Sequence, residues 1–165
     1  MREVELFLKE YWYAKRSIGR LMLDLAAARH AYEQSYGSLP VSSGFSEAGK
    51  RRGNAQSPVE RAVLIAVDHF RAEVESIERR LEEERRTIEQ IETAVHRAGL
   101  IAPESGYVRL RYFEGRSVEA SAQRLYCSLA TCGRLRVSAL GKIERARHSL
   151  RAEAAMHERQ VQRAQ

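Results

Sequence analysis

Residues 105–147, SGYVRLRYFEGRSVEASAQRLYCSLATCGRLRVSALGKIERAR, decide how this chain is read. Tyr107-Val108-Arg109-Leu110-Arg111-Tyr112-Phe113 predicts a short amphipathic helix. Glu114-Gly115-Arg116 predicts a turn, because Gly115 can take a positive φ that a side chain would oppose. Ser117 stands where a hydroxyl caps a second helix, Val118 to Leu125. Tyr126-Cys127-Ser128 then reads as a three-residue turn. A third helix is expected from about Leu129 to beyond Ile143. Helical spacing puts Cys132, Leu135, Ala139 and Ile143 on one face, predicted to pack on Leu110, Phe113, Ala122 and Leu125. The opposite face near the start of that helix carries Leu129, Ala130, Gly133, Arg134 and Val137.

Upstream, the apolar period changes. Val4, Phe7, Tyr11, Ala14, Ile18, Leu21, Leu25, Ala28 and Tyr32 alternate spacings of three and four, the seam of a heptad helix. Leu6, Leu8, Trp12 and Met22 widen that stripe. A second seam runs through Val67, Phe70, Val74, Ile77, Leu81, Glu84, Ile88, Ile91 and Val95, broken only at Glu84. Ser57-Pro58-Val59-Glu60 predicts its start, with Pro58 at the first helical position and Glu60 where a capping box places its carboxylate. Gly99, with Pro103 just beyond, predicts its end. Between the seams, residues 35–57 are rich in Gly and Ser and lose all periodicity, which reads as a mobile loop; its Lys50-Arg51-Arg52 is a solvated charge run or a phosphate contact.

The expected fold is therefore all-α. An antiparallel coiled-coil helical hairpin occupies residues 1–99, with helices over 4–34 and 58–98. A helix-turn-helix module with an extended last helix occupies residues 104–165. Two matched seams with surplus apolar residues predict homo-oligomerisation through the first helices.

Charge is uneven along the chain. Residues 58–98 carry 7 Lys/Arg against 10 Asp/Glu, whereas residues 99–165 carry 12 against 6, out of a net charge of +6. A basic last third behind an acidic helix points to a polyanionic partner. Cys127 and Cys132 are the two cysteines, in no zinc-binding spacing. With no leader recognised, they suggest a reducing, cytoplasmic setting. No apolar run approaches the roughly 18 residues of a membrane helix. His30, His69, His96, His148 and His157 are scattered, and no phosphate loop or nucleophile elbow is present. Glu82-Glu83-Glu84, flanked by Arg79-Arg80 and Arg85-Arg86, reads as a salt-bridged helix face rather than a catalytic carboxylate pair. The chain is accordingly expected to be no enzyme and to need no metal or cofactor.

Arg109-Leu110-Arg111-Tyr112-Phe113-Glu114-Gly115-Arg116-Ser117-Val118-Glu119, Ala122-Gln123-Arg124-Leu125, Ser128, Thr131 and Ala139-Leu140-Gly141-Lys142-Ile143 resemble region 4 of sigma-70-type factors. The whole layout resembles small phage and prophage regulators of the RinA and ArpU type, whose implied role is activation of phage late genes. By that resemblance Leu129, Ala130 and Arg134 reach base edges of double-stranded DNA, and Ser128, Gly133 and Ser138 lie where phosphates are held. Arg134 is suited to guanine O6 and N7, while Leu129, Ala130 and Val137 suit thymine methyls. Arg111, Arg116, Arg136 and Lys142 are candidates for neutralising backbone charge. The sequence departs from the family at four places. Ser121 replaces a large aliphatic and Tyr126 a glycine. Cys132 replaces a β-branched residue, and Gly133 sits inside the recognition helix.

Two other readings compete. One is an interaction module that binds RNA polymerase or a sigma factor without reading DNA. The other is a coiled-coil protein whose basic tail holds nucleic acid loosely.

Overall fold

The computed structural model describes the backbone over residues 1–37 and 58–164, and side chains over residues 1–34 and 65–163. It is helical throughout, with no strand among the described residues. The helices are α1 (Arg2–Gly37), α2 (Pro58–Arg97), α3 (Ala102–Val108), α4 (Val118–Arg124) and α5 (Leu129–Ala164), with a π-helical turn, Arg109–Phe113, continuing α3. The loop expected over residues 35–57 falls, from residue 38 onward, outside the described residues, as do Lys50, Arg51, Arg52 and the capping residue Ser57.

Both seams bury as spaced. On α1, Val4, Phe7, Tyr11, Ala14, Leu21 and Ala28 are buried, and Ile18, Leu25 and Tyr32 are half-buried. On α2, Ile77, Leu81 and Ile91 are buried, and Phe70, Val74, Glu84, Ile88 and Val95 are half-buried. Of the residues that widen the α1 stripe, Leu8 is buried and Trp12 half-buried, while Leu6 and Met22 are exposed.

The chain divides into two compact units, residues 1–18 with 83–165, and residues 19–82. α1 and α2 each contribute to both units, and α5 lies wholly in the first. In the second unit, Leu21 and Ala28 of α1 and Ile77 and Leu81 of α2 are buried, and Arg29 donates to Glu78 at 2.8 Å.

The first unit holds the main core. Val4, Phe7, Leu8 and Tyr11 of α1 meet Ile91 and Ala94 of α2, and Tyr107 and Val108 of α3. Tyr112 joins from the π-helical turn, Ala122 from α4, and Cys132, Ala139, Leu140 and Ile143 from α5. Each fully buried aliphatic side chain here contributes about 1.5–3 kcal/mol of burial free energy. Over this stretch Tyr11 also donates its hydroxyl to Glu92 at 3.0 Å and stacks on Phe113 with ring centroids 3.9 Å apart.

Helix ends follow local chemistry. α2 stops at Arg97 and Gly99 takes φ +59, as its position predicts. Helix then resumes sooner than expected. Pro103 lies in the first turn of α3, where its missing N–H costs no hydrogen bond, so it starts a helix instead of merely following one. Glu104 sits three residues inside that helix and accepts the Ile101 N–H at 3.0 Å. The short helix read over residues 107–113 is thus the end of α3 wound out into a π turn, with Glu114 N–H donating to Arg109 O at 2.9 Å. Of the predicted contacts of α5, Ala122 is buried, and Phe113 and Leu125 pack partly buried against the core. Leu110 is half-buried but lies outside the cluster, and Tyr107, Val108 and Tyr112 supply the floor instead.

Candidate nucleic-acid interface

The segment from Ser117 to Ile143 builds its own framework of caps. Ser117 Oγ accepts the Ala120 N–H at 3.1 Å and opens α4. Ser121 is fully buried and satisfied, its hydroxyl donating to Ser117 O at 2.8 Å. α4 closes with Cys127 N–H donating to Ala122 O at 3.1 Å and Tyr126 N–H to Gln123 O at 3.2 Å. Those paired bonds make a Schellman closure with Tyr126 at the left-handed position. Tyr126 has φ +52, a left-handed conformation, and is 97% exposed. That conformation costs a non-glycine residue roughly 1–2 kcal/mol. Two residues on, Ser128 Oγ accepts the Thr131 N–H at 3.1 Å and opens α5.

Capping fixes which face of α5 points outward. Cys132, Ala139, Leu140 and Ile143 are buried. Ala130, Gly133, Arg134 and Val137 are exposed opposite them, with Leu129 exposed at the first position. All four expected base-contact residues, Leu129, Ala130, Arg134 and Val137, therefore share one outer surface. Arg134 reaches Thr131 Oγ1 at 3.4 Å and has no carboxylate partner among the described residues. Gly133 is surrounded by open space: a Cβ there would meet nothing within 4 Å.

The expected phosphate set is less uniform. Ser128 is engaged in the cap. Arg111 donates to Arg116 O at 2.8 Å, bridging the turn at Gly115. Arg116 and Arg109 share Glu114 at 2.8 and 3.2 Å and hold its carboxyl below the usual carboxylate range. Arg136 donates to Glu5 Oε1 at 2.6 Å, and the Tyr112 hydroxyl donates to the same oxygen at 3.0 Å. The Arg136 hydrogen bond holds the Glu5 carboxyl down, and burial beside that carboxylate pushes the Tyr112 phenol up. Ser138 and Lys142 both donate to Glu104 at 2.6 Å. Burial pushes the Glu104 carboxyl up, but Lys142, Ser138 and the Ile101 amide outweigh it and keep it below its ordinary range.

Arg136, Ser138 and Lys142 are thus tied inward by Glu5 and Glu104, and their internal bonds account for their positions. The sequence alone hides this, because Glu5 and Glu104 are remote in the chain from the residues they hold. Arg124 and Arg145, absent from the expected set, are exposed and have no carboxylate partner among the described residues. Arg145 follows Arg134 by eleven residues, three helical turns along one face, and that spacing is the signal that would have found it. Among the described residues, no group of three or more His, Cys, Asp or Glu side chains is placed to hold a metal ion. No helix there is long and apolar enough to cross a membrane.

Comparison of the chain with family models, with curated proteins and with solved structures finds no match.

Proposed function

We propose that this protein is a DNA-binding regulator, not an enzyme, and that it lays the start of α5 into the major groove of double-stranded DNA. Its more particular role in this reading is that of a sequence-specific transcription regulator, an activator of phage or prophage late genes in the bacterial cytoplasm. The observation that carries the reading is Arg134. It is an arginine without an acidic partner among the described residues, on the outward face of a capped helix entered by a tight turn from another capped helix. That is the layout in which a recognition helix presents side chains to base edges. The +6 balance of residues 99–165 supports it, with Arg124 and Arg145 as added cations for the phosphate backbone. Self-association belongs to the same reading, because Leu6, Tyr13, Met22 and Leu23 leave apolar surface exposed on α1. Two copies would set two such helices on repeated half-sites.

A second reading has its own support. Tyr126, Leu129 and Val137 are exposed apolar side chains around Arg134, a composition that also suits a protein surface such as RNA polymerase or a sigma factor. Duplex selection from a random library, followed by anisotropy titration at physiological salt, separates the two. The DNA reading expects an enriched motif bound far more tightly than random duplex. Equal affinity for selected and random duplex overturns it and leaves the protein-docking reading.

A further inference from the structure

Cys127 and Cys132 hold two linked positions in the turn between α4 and α5. Cys127 is the second residue past Leu125, the C-cap of α4, and the one whose N–H closes the Schellman motif on Ala122 O. It is also the residue before the Ser128 cap of α5. Cys132 is the fourth residue of α5. Residues at those two places pack against each other across a helix N-terminus as a hydrophobic staple that fixes how the chain enters the helix. Here both staple residues are thiols, and their Sγ atoms lie 3.5 Å apart. Cys127 is half-buried and reachable, whereas Cys132 is completely buried.

We propose that this stapled dithiol is an oxidant-sensitive modification site, closing to an intramolecular Cys127–Cys132 disulfide on reaction with a peroxide. The sulfurs need to approach only from 3.5 Å to the roughly 2.05 Å of a disulfide bond. The staple holds them together before any reaction takes place. Cys127 is the first to react. Its sulfur attacks one peroxide oxygen, the O–O bond breaks, and the thiol proton leaves with the departing oxygen as water. That gives a sulfenic acid on Cys127. The Cys132 sulfur then attacks the Cys127 sulfur, the S–O bond breaks, and the hydroxyl leaves with the Cys132 proton as a second water. Two thiols lose two electrons and one peroxide gains them. Burial and the contact with Cys127 push the Cys132 thiol up to about 11, which keeps it protonated and slow to meet oxidant itself; its attack on Cys127 rests on the 3.5 Å proximity of the two sulfurs. The reaction is independent of whether the partner of α5 is a duplex or a protein.

The test uses the full chain. Trypsin cleavage after Arg124 and Arg134 leaves both cysteines on one peptide, residues 125–134. After hydrogen peroxide treatment and alkylation, that peptide should be lighter than the reduced, unalkylated peptide by the mass of two hydrogens and should carry no alkyl group. Dithiothreitol should restore two alkylation sites. In Cys132→Ala, the sulfenic acid on Cys127 should persist and be trapped by dimedone. In Cys127→Ala, Cys132 should stay unreacted at the same dose. A covalent dimer through Cys127 overturns the proposal. So does a sulfinic acid on Cys127 with Cys132 still open to alkylation, and so do two thiols that stay alkylatable throughout. The wild-type peptide mass decides the matter even where a variant folds poorly.

Discussion

Lys142 donates to Glu104 at 2.6 Å, and the carboxylate side chain it meets is only 3% exposed. One residue inside the first turn of α3 is thereby fastened to the middle of α5, with Ser138 on its other oxygen. Removing one partner of such a pair leaves the other buried and unpaired. Lys142→Ala should lower unfolding free energy by about 3 kcal/mol, and Ser138→Ala by about 1.5–3 kcal/mol, both read by chemical denaturation. The same bonds set an acid response. The Glu104 carboxyl sits below its ordinary value of 4.5 in the folded chain, as does that of Glu5. Their stabilisation is complete above that value and is lost as pH falls below it. Thermal midpoints should therefore drop on acidification below about pH 4.5, and the drop should be shallower in Glu104→Gln. A midpoint flat down to strongly acidic pH would contradict the assignment.

Tyr126 holds a left-handed backbone with a fully solvated ring. Its side chain returns no burial for the strain. Glycine has no Cβ to oppose that conformation, at some cost in unfolded-chain entropy. Tyr126→Gly should raise stability by roughly 0.5–1 kcal/mol, seen as a shift in denaturation midpoint at unchanged slope. A loss of stability would mean that the ring makes a contact in solution.

Gly115 is the opposite case. Its φ is +68, and an added Cβ would lie 3.1 Å from Trp12 Nε1. Gly115→Ala should cost at least the roughly 1–2 kcal/mol of the left-handed region. It should also displace the single tryptophan of the chain, so its fluorescence maximum should move in the folded state. Unchanged emission would mean that the indole does not rest on this turn.

Arg134 and Gly133 test the outward face together. Arg134→Ala should leave stability almost unchanged, since no carboxylate among the described residues depends on it, yet cost about 1–3 kcal/mol of duplex affinity at one base pair. Gly133→Ala should raise stability by up to about 1 kcal/mol, because a mid-helix glycine is unfavourable and the space is open. If a phosphate approaches that backbone, the same variant should bind duplex more weakly while folding better. Equal binding by both variants and the parent would remove this face from DNA recognition.

The helices were legible because period and punctuation are local signals. The α1 seam from Val4 to Ala28 and the α2 seam from Ile77 to Ile91 bury where their spacing puts them. Gly99, Gly115 and Ser117 act as their chemistry dictates. Pro103 lies just beyond the end of α2 as read, but it also opens α3, and only the helix after it shows that second role. The outward face of α5 was legible from Cys132, Ala139 and Ile143, since three buried positions fix the fourth side. The fate of its cations was not. Whether Arg136 meets a phosphate or Glu5 depends on a residue 131 positions away folding back onto it, and no local pattern records that.

The Glu5 carboxylate waits for a tyrosine hydroxyl, that of Tyr112, made 107 residues later. During synthesis, Val4, Phe7, Leu8 and Tyr11 leave the ribosome long before Tyr107, Leu140 and Ile143 exist to cover them. At translation rates of about 5–20 residues per second, their apolar seam stays without that full cover for roughly 7–30 s. Closing so distant a pair also carries a loop entropy that neighbouring contacts avoid. Nascent chains stalled before residue 107 should therefore bind holdase chaperones through residues 4–11, and chains released past residue 143 should let them go. Residues made late decide whether residues made early reach the native state at all.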